Sequence, residues 1–283
     1  MNTIKKVLKV LGFIILFLVV VAGVLYLTYL RPFMEKMKVT HVIQYDKNLT
    51  IVTGGGGNSG ILTSDSLVLV IDTKQDAAAE AFYNQVKQIA GDKPILVVNT
   101  HIHPDHVGGN KFYKTATIMA GGNYTKEQWL KADGAESLPT KWLQDSLNIR
   151  MGDETVTVLN LAKNIHTESD VVVYLHNRKL LFTGDVVLNK QAPVLIGRAD
   201  PEAYLTAFGE LPKRFDIEKI VPGHGDIGGI EIIANFKQYF NDMKLAATDA
   251  SQKDKLIEKY KDWNQVPIIM SPSATVKAFK KNN

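Results

Sequence analysis

The sequence predicts an α/β domain preceded by one transmembrane helix. Three observations carry that expectation. Val10 to Leu30 contains no charged residue. Beyond residue 39, short apolar runs rich in β-branched residues alternate with amphipathic helical stretches. Histidines and aspartates gather on the segments that leave those runs, where α/β sheets set their chemistry.

The first element is the uncharged run. As a helix, Val10–Leu30 reaches about 30 Å, the thickness of a bilayer's hydrocarbon core. A signal-peptide core is shorter, about 7–15 residues. Val21-Ala22-Gly23 makes only a poor cleavage site. The run reads as an uncleaved anchor, with secretion after signal cleavage as the alternative. Lys5, Lys6 and Lys9 precede it, and Arg31, Lys36 and Lys38 follow. The positive-inside rule is thus nearly balanced; the common N-terminus-inside arrangement puts the domain outside the cytoplasm. Residues 1–38 form anchor and stalk, and residues 39–283 form one domain, long enough for a full core.

Charge divides at the same point. Residues 1–38 hold five lysines, one arginine and one glutamate, a balance of +5. The whole chain carries +4, which leaves −1 for residues 39–283. A near-neutral domain lacks the basic track that phosphates need, so no nucleic-acid partner is expected. The absence of cysteine is compatible with an oxidising compartment.

Strands are expected at Val42–Gln44, Leu49–Thr53, Gly60–Thr63 and Leu67–Asp72. Between the second and third lies Gly54-Gly55-Gly56-Gly57-Asn58-Ser59. It lacks the Lys-Ser/Thr of a phosphate loop and no helix follows it, so it reads as a flexible turn near a site mouth. Asp76–Ala90 is an alanine-rich amphipathic helix stopped by Gly91 and Pro94. Pro94–Asn99 is a buried strand.

From that strand emerges Thr100-His101-Ile102-His103-Pro104-Asp105-His106. Imidazole nitrogen and carboxylate oxygen are the ligands that borderline-soft divalent metals prefer, zinc above all. Further donors follow on later strand ends. His166 comes after the alternating run Thr155–Leu161. Asp185 ends Lys179–Gly184, which pairs with Asp170–Leu175 through the short link His176-Asn177-Arg178. His224 sits in Pro222-Gly223-His224-Gly225, after the strand from Ile217 to Val221. Singly, each has an ordinary reading: a turn aspartate, a turn histidine, a polar cap. Together and in this order they read as metal ligands. His41, at the head of the domain, and His176, in the hairpin link, read as non-ligands.

Tyr124, Trp129, Leu138 and Trp142 lie between the first run and His166. They are either an apolar substrate floor or packing against the sheet. Asp200-Pro201-Glu202 starts a helix expected to reach about Phe208. Ile230–Leu245 and Gln252–Trp263 read as helices that cover an outer face. Asn48-Leu49-Thr50 and Asn123-Tyr124-Thr125 match the glycosylation triplet, which matters only in a source that glycosylates.

The order His-x-His-x-Asp-His, then His, then Thr-Gly-Asp, then Pro-Gly-His-Gly resembles the metallo-β-lactamase superfamily over roughly residues 42 to 245. The resemblance implies a four-layer αββα sandwich. It implies that His101, His103 and His166 hold one metal, that Asp105, His106 and His224 hold a second, and that Asp185 bridges them. Two zinc ions per chain are implied, with iron or manganese admitted. The family's nucleophile is a metal-bound hydroxide, and Asp105 would orient it and carry the proton to the leaving group. The family's true β-lactamases carry Cys or Ser where Asp185 stands, whereas its thioesterases, lactonases and phosphodiesterases carry Asp. The expected function is therefore hydrolysis of an ester, thioester, lactone or amide in a small-molecule substrate. The rivals are a β-lactam hydrolase, an iron-dependent oxygenase or oxidoreductase on the same fold, and a non-catalytic metal-binding protein.

Overall fold

The structure, a computed structural model, describes residues 2–36, 38–161, 164–197, 199–263, 265–266 and 268–282. Helix α1 (Asn2–Leu25) passes through one π-helical turn, Tyr26–Leu30, into α2 (Arg31–Lys36). The Arg31 N–H reaches back five residues to the Tyr26 carbonyl. The sequence had suggested unbroken α-helix there. The most apolar 18 residues within Lys5–Leu30 have a mean hydropathy of 3.0 and are not buried against the domain. That span is long and apolar enough to cross a membrane.

The domain holds two sheets. The first runs in chain order: β1 (Thr40–Gln44), β2 (Leu49–Gly54), β3 (Ser59–Thr63), β4 (Val68–Ile71), β5 (Ile95–Val98), β6 (Thr117–Gly121) and β7 (Lys141–Leu143). It is antiparallel up to β4 and parallel from β4 to β7. The second contains β8 (Ser146–Met151), β9 (Glu154–Asn160), β10 (Val171–Leu175), β11 (Leu180–Phe182), β12 (Lys219–Val221) and β13 (Gly228–Gly229), again neighbours in order. Only β11 and β12 pair in parallel. The parallel pairs need crossovers. Helix α3 (Asp76–Ala90) links β4 to β5. After β5 come the short α4 (Pro104–Val107) and α5 (Lys126–Asp133). Helix α6 (Pro201–Arg214) lies between β11 and β12, and α7 (Glu231–Thr248), α8 (Ala250–Lys259) and α9 (Pro272–Asn282) follow β13.

Strand periodicity explains the layers. In β4, Leu69 and Ile71 face the second sheet, where Val156, Val158, Val173 and Phe182 meet them. Val68 and Val70 face the other way and pack on Phe82 and Val86 of α3. A one-residue slip would exchange the two sets, so apolar side chains on both faces fix the register only together with the parallel pairing. In the second sheet, Leu159, Val172, Leu181 and Ile220 point outward onto Tyr204 and Phe208 of α6, Phe236 and Phe240 of α7, and Phe279 of α9. Each such buried side chain contributes roughly 1.5–3 kcal/mol. The order of layers is helix, sheet, sheet, helix.

The two sheets are also tied at one end. Arg178, in the β10–β11 turn, bonds Asp46 of the β1–β2 turn at 2.7 and 3.0 Å and Glu154 of β9 at 2.7 Å. Several elements differ from the sequence expectation. Helix α6 runs past Phe208 to Arg214 and accommodates Pro212 in its last turn. Strands β6, β7 and β8 and helices α5 and α9 are additional.

Candidate metal centre

The ends of strands from both sheets meet at one edge of the sandwich. Strand β5 ends at Val98, and the chain then turns through His101 and His103 into α4, which Pro104 opens at its first position. That single helical turn carries Asp105 and His106. His166 comes from the loop after β9, Asp185 from the turn after β11 and His224 from the turn after β12. All seven residues singled out in the sequence converge.

They form two donor groups, each with its atoms within 4.8 Å of one another. In the first, His103 Nδ1 lies 3.1 Å from His101 Nε2 and 2.9 Å from His166 Nε2. In the second, Asp105 Oδ2 lies 3.1 Å from His224 Nε2 and 3.5 Å from His106 Nε2. Asp185 stands between them. Its Oδ2 is 3.4 Å from His166 Nε2, and its Oδ1 is 3.3 Å from His106 Nε2 and 3.5 Å from His224 Nε2.

Hydrogen bonds on the far side of each ring set which nitrogen faces inward. Asp72 Oδ2 sits 2.7 Å from His106 Nδ1. A carboxylate accepts, so Nδ1 carries the proton and Nε2 presents its lone pair. The Tyr204 hydroxyl donates to the Asp185 carbonyl at 3.2 Å and lies 2.9 Å from His166 Nδ1. With its one proton engaged, it accepts from His166, which again frees Nε2. Thr100 Oγ1 donates to Asp72 at 2.7 Å and lies 3.1 Å from His101 Nδ1, with the same consequence for His101. Asp170 holds the loop of His166, taking its backbone N–H at 2.8 Å and the Thr167 hydroxyl at 2.7 Å. Burial pushes the Asp170 carboxyl up to about 7.

Electrostatics suit cations. Burial pushes His101 well below its ordinary pKa and brings His166 down to about 3, so both are neutral donors at pH 7. Burial opposes ionisation of Asp185, but His224 and His106 outweigh it and hold the carboxyl well below the usual range. Asp105 behaves likewise: burial is overcome by His106 and His224. Against burial, Asp105, Asp72 and Asp185 drive His106 upward, which marks a place that calls for positive charge. His106 Nε2 and Asp185 Oδ1 are buried and make no hydrogen bond. Such orphaned atoms are costly unless something else satisfies them. Neutral imidazoles at His101 and His166, a second group that calls for positive charge, ionised carboxylates and two orphaned inward-facing atoms fit a pair of divalent metals.

Close backbone approach completes the cradle. A Cβ at Gly57 would lie 2.1 Å from the His106 ring, and one at Gly223 would lie 2.0 Å from Asp185 Oδ1. The glycine-rich run is not a loose turn. Lys74 is fully buried, and its ammonium donates to the carbonyls of Val52, Gly54 and Gly57 at 2.7, 2.7 and 2.5 Å. Three carbonyls match the three N–H donors of an ammonium. Burial pulls Lys74 down to about 7, with Asp72 and Asp105 opposing. Asn58 ties the same run to the His224 turn through the carbonyls of Pro222 and Gly225, both at 2.9 Å.

The donors open into a cavity of about 740 Å³ that His103, Asp105, Asp185 and His224 line together with Val39 and Met270. His41 also lines it but lies outside both donor groups. His176 is remote, bonded to Thr157 at 2.8 Å. Tyr124, Trp129, Leu138 and Trp142 pack with Ile102, Val107 and Ala120 and do not line the cavity. Of the two readings for that segment, packing is what the structure has.

Sequence reading missed Asp72, Lys74, Thr100, Asp170 and Tyr204. Asp72 had a faint signal, as the acid that ends a strand beside the ligand-bearing one. A buried lysine and a helix tyrosine have none.

Comparison with known proteins agrees with this geometry. The model of the metallo-beta-lactamase superfamily matches residues 52–224. A metallo-beta-lactamase type 2 of Bacillus cereus is 29% identical over 199 residues, 66% of this chain and 77% of that protein. The acyl-coenzyme A thioesterase MBLAC2 of Gallus gallus is 26% identical over 169 residues, 50% of this chain. This chain spans 60% of that thioesterase's length. The solved structure of a metallo-beta-lactamase from Pontibacter korlensis superposes with a TM-score of 0.63 at 21% identity, covering 72% of this chain and 99% of that one. The matched span runs from β2 to His224 and so encloses both donor groups with the strands that present them; this chain belongs to the metallo-beta-lactamase superfamily and is a hydrolase of that superfamily.

Proposed function

We propose that the chain is a membrane-anchored, binuclear, zinc-dependent hydrolase of ester, thioester, lactone or amide bonds, with its domain outside the cytoplasm. The single observation that carries the binuclear reading is Asp185, whose two oxygens face the two donor groups at 3.4 and 3.3 Å. His101, His103 and His166 would hold one metal, and Asp105, His106 and His224 the other. Nitrogen-rich donor sets favour zinc over harder cations. When bound, such metals bring the pKa of water from near 16 to roughly 7 and polarise a carbonyl oxygen.

The chain's own residues do the rest. Asp72, Thr100 and Tyr204 fix the imidazole tautomers. Asp105 faces the cavity, accepts a proton and hands it to the leaving group. Lys74 and Asn58 hold the glycine run against His106 and the His224 turn.

Thioester hydrolysis draws support from the thioesterase relative, and Asp185 belongs with it, being the residue the family's thioesterases carry. A second reading, β-lactam hydrolysis, is favoured by the type 2 metallo-beta-lactamase of Bacillus cereus, the more extensive of the two sequence matches. Asp185 weighs against it. The test is metal content by plasma emission on the detergent-solubilised chain, beside a panel of ester, thioester, lactone, phosphodiester and β-lactam substrates. Two zinc ions per chain with turnover in the ester group is the expected result. Sub-stoichiometric metal after zinc-supplemented growth would sink the binuclear reading, and β-lactam turnover far above the rest would replace the substrate assignment.

A further inference from the structure

The cavity opens beside the membrane helix, and the chain length makes this unavoidable. The apolar span ends at Leu30, and α2 (Arg31–Lys36) adds about 9 Å. Only two residues, Met37 and Lys38, separate Lys36 from Val39, so three chain steps give a reach of at most about 10 Å. Val39 lines the cavity, and the next residue begins β1. The mouth of the site therefore lies within about 20 Å of the end of the apolar span, whatever the tilt of the helix.

A second observation concerns the same mouth. Gln265 N–H bonds the Met270 carbonyl at 2.9 Å, and Met270 N–H bonds the Val266 carbonyl at 2.8 Å. These bonds close a tight turn whose base, Gln265 and Met270, lines the cavity. Its tip carries Ile268, 77% exposed, and Ile269, 50% exposed. Ile268 has φ +77°, a conformation that β-branched residues rarely adopt. A strained, apolar, exposed tip gains nothing from water. Val39, which lines the same cavity, is exposed as well, at 52%.

Charge restricts the head group. Apart from the donor residues, the charged side chains lining the cavity are Lys190, Asp226 and Asp262, a balance of −1. That lining disfavours a soluble substrate bearing several phosphates.

Resting on the anchor and hydrolase readings above, we infer that the cavity is loaded from the bilayer. Its substrate is an amphiphile with a neutral or weakly charged head, whose hydrolysable bond reaches the donor atoms while its tail stays in lipid. The Ile268–Ile269 tip is the part of the domain that enters the interface.

The chain has no cysteine, so single-site labelling is available. The full chain is reconstituted in phosphatidylcholine–phosphatidylglycerol vesicles with an environment-sensitive fluorophore at Ile268→Cys. Ser66→Cys is the control, in the turn at the opposite end of β4 and β5 from the site. The expected result is a blue-shifted Ile268→Cys probe, quenched several-fold more by nitroxide lipid than the Ser66→Cys probe. In parallel, the Ile268→Asp, Ile269→Asp double variant is compared with the parent chain on vesicle-borne para-nitrophenyl palmitate and on dissolved para-nitrophenyl butyrate. The loss on the palmitate should exceed the loss on the butyrate by about tenfold. Equal iodide access at the two probes, or equal losses on the two esters, would overturn the inference. Release of the parent chain from vesicles by salt would overturn the anchor reading and this one with it. A lipid-buried Ile268→Cys probe in a chain that cleaves neither ester would uphold the interfacial contact and strike the hydrolase reading instead.

Discussion

Asp72 grips His106 from behind: its Oδ2 is 2.7 Å from Nδ1, while its Oδ1 takes the Thr100 backbone N–H, also at 2.7 Å. The carboxylate thus fixes one ring and the strand exit that carries His101, His103 and Asp105. Asp72→Asn is expected to weaken metal binding by about 10–100-fold. Competition against a chelator measures it. Tyr204→Phe, which removes the acceptor for His166 and the donor to the Asp185 carbonyl but no charge, should cost less; the reverse order would mean that Asp72 is merely structural.

Lys74→Met should destabilise the domain by at least about 2–3 kcal/mol, because three carbonyls lose their donor while staying buried. Chemical denaturation in detergent gives the number. A change below about half a kcal/mol would show that water replaces the ammonium.

Asp105→Asn is nearly isosteric but cannot accept the proton. Turnover should fall about 10²–10⁴-fold while circular dichroism shows the fold retained. His176→Ala, remote from the cavity, is the comparison. Similar losses from both would put the site elsewhere.

Asp185→Ser removes the charge and the span between the donor groups. The expected outcome is a lower metal stoichiometry and lower turnover, without strong β-lactamase activity. Plasma emission and the substrate panel read both. A variant that keeps two tightly held metals and full turnover would reduce Asp185 to a turn residue.

The Arg178 clamp gives a pH prediction. The hydrogen bonds from Arg178 hold the Asp46 carboxyl below its ordinary value. A depressed folded pKa contributes stability that is present above the unfolded value, about 3.9, and is lost as pH falls through the folded one. Melting temperature should therefore drop more steeply below about pH 4 in the parent chain than in Asp46→Asn. Parallel curves would mean that the bridge is too exposed to matter. Arg178→Ala is harsher, since Glu154, 1% exposed at its side chain, would stay buried without its partner, at a cost of about 3–5 kcal/mol.

The seven candidate ligands were legible because their types are unusual in combination and each follows a strand run. His101 to His106 needed only local spacing, whereas His166, Asp185 and His224 needed their order along the chain. Their supports were not legible. Asp72 and Lys74 act through partners 34 and 17 to 22 residues away, a pairing only the folded sheet creates. Strands β6 and β7 escaped notice because Thr117–Gly121 runs out in Ala-Gly, which strands disfavour, and Lys141–Leu143 is only three residues long. Helix α6 outran its expected end at Phe208 because Leu211 still had a core to enter, although Pro212 forfeits the hydrogen bond to the Phe208 carbonyl.

Each donor group draws on both halves of the sandwich. His101 and His103 leave the first sheet and face His166 from the second; Asp105 and His106 leave the first and face His224 from the second. A cation held in either group would act as a rivet through the seam, resisting separation of the halves as well as serving the reaction. By mass action, free metal at a thousand times its dissociation constant adds about 4 kcal/mol to folding stability. The lifetime of this domain against proteolysis would then follow the metal supply around it.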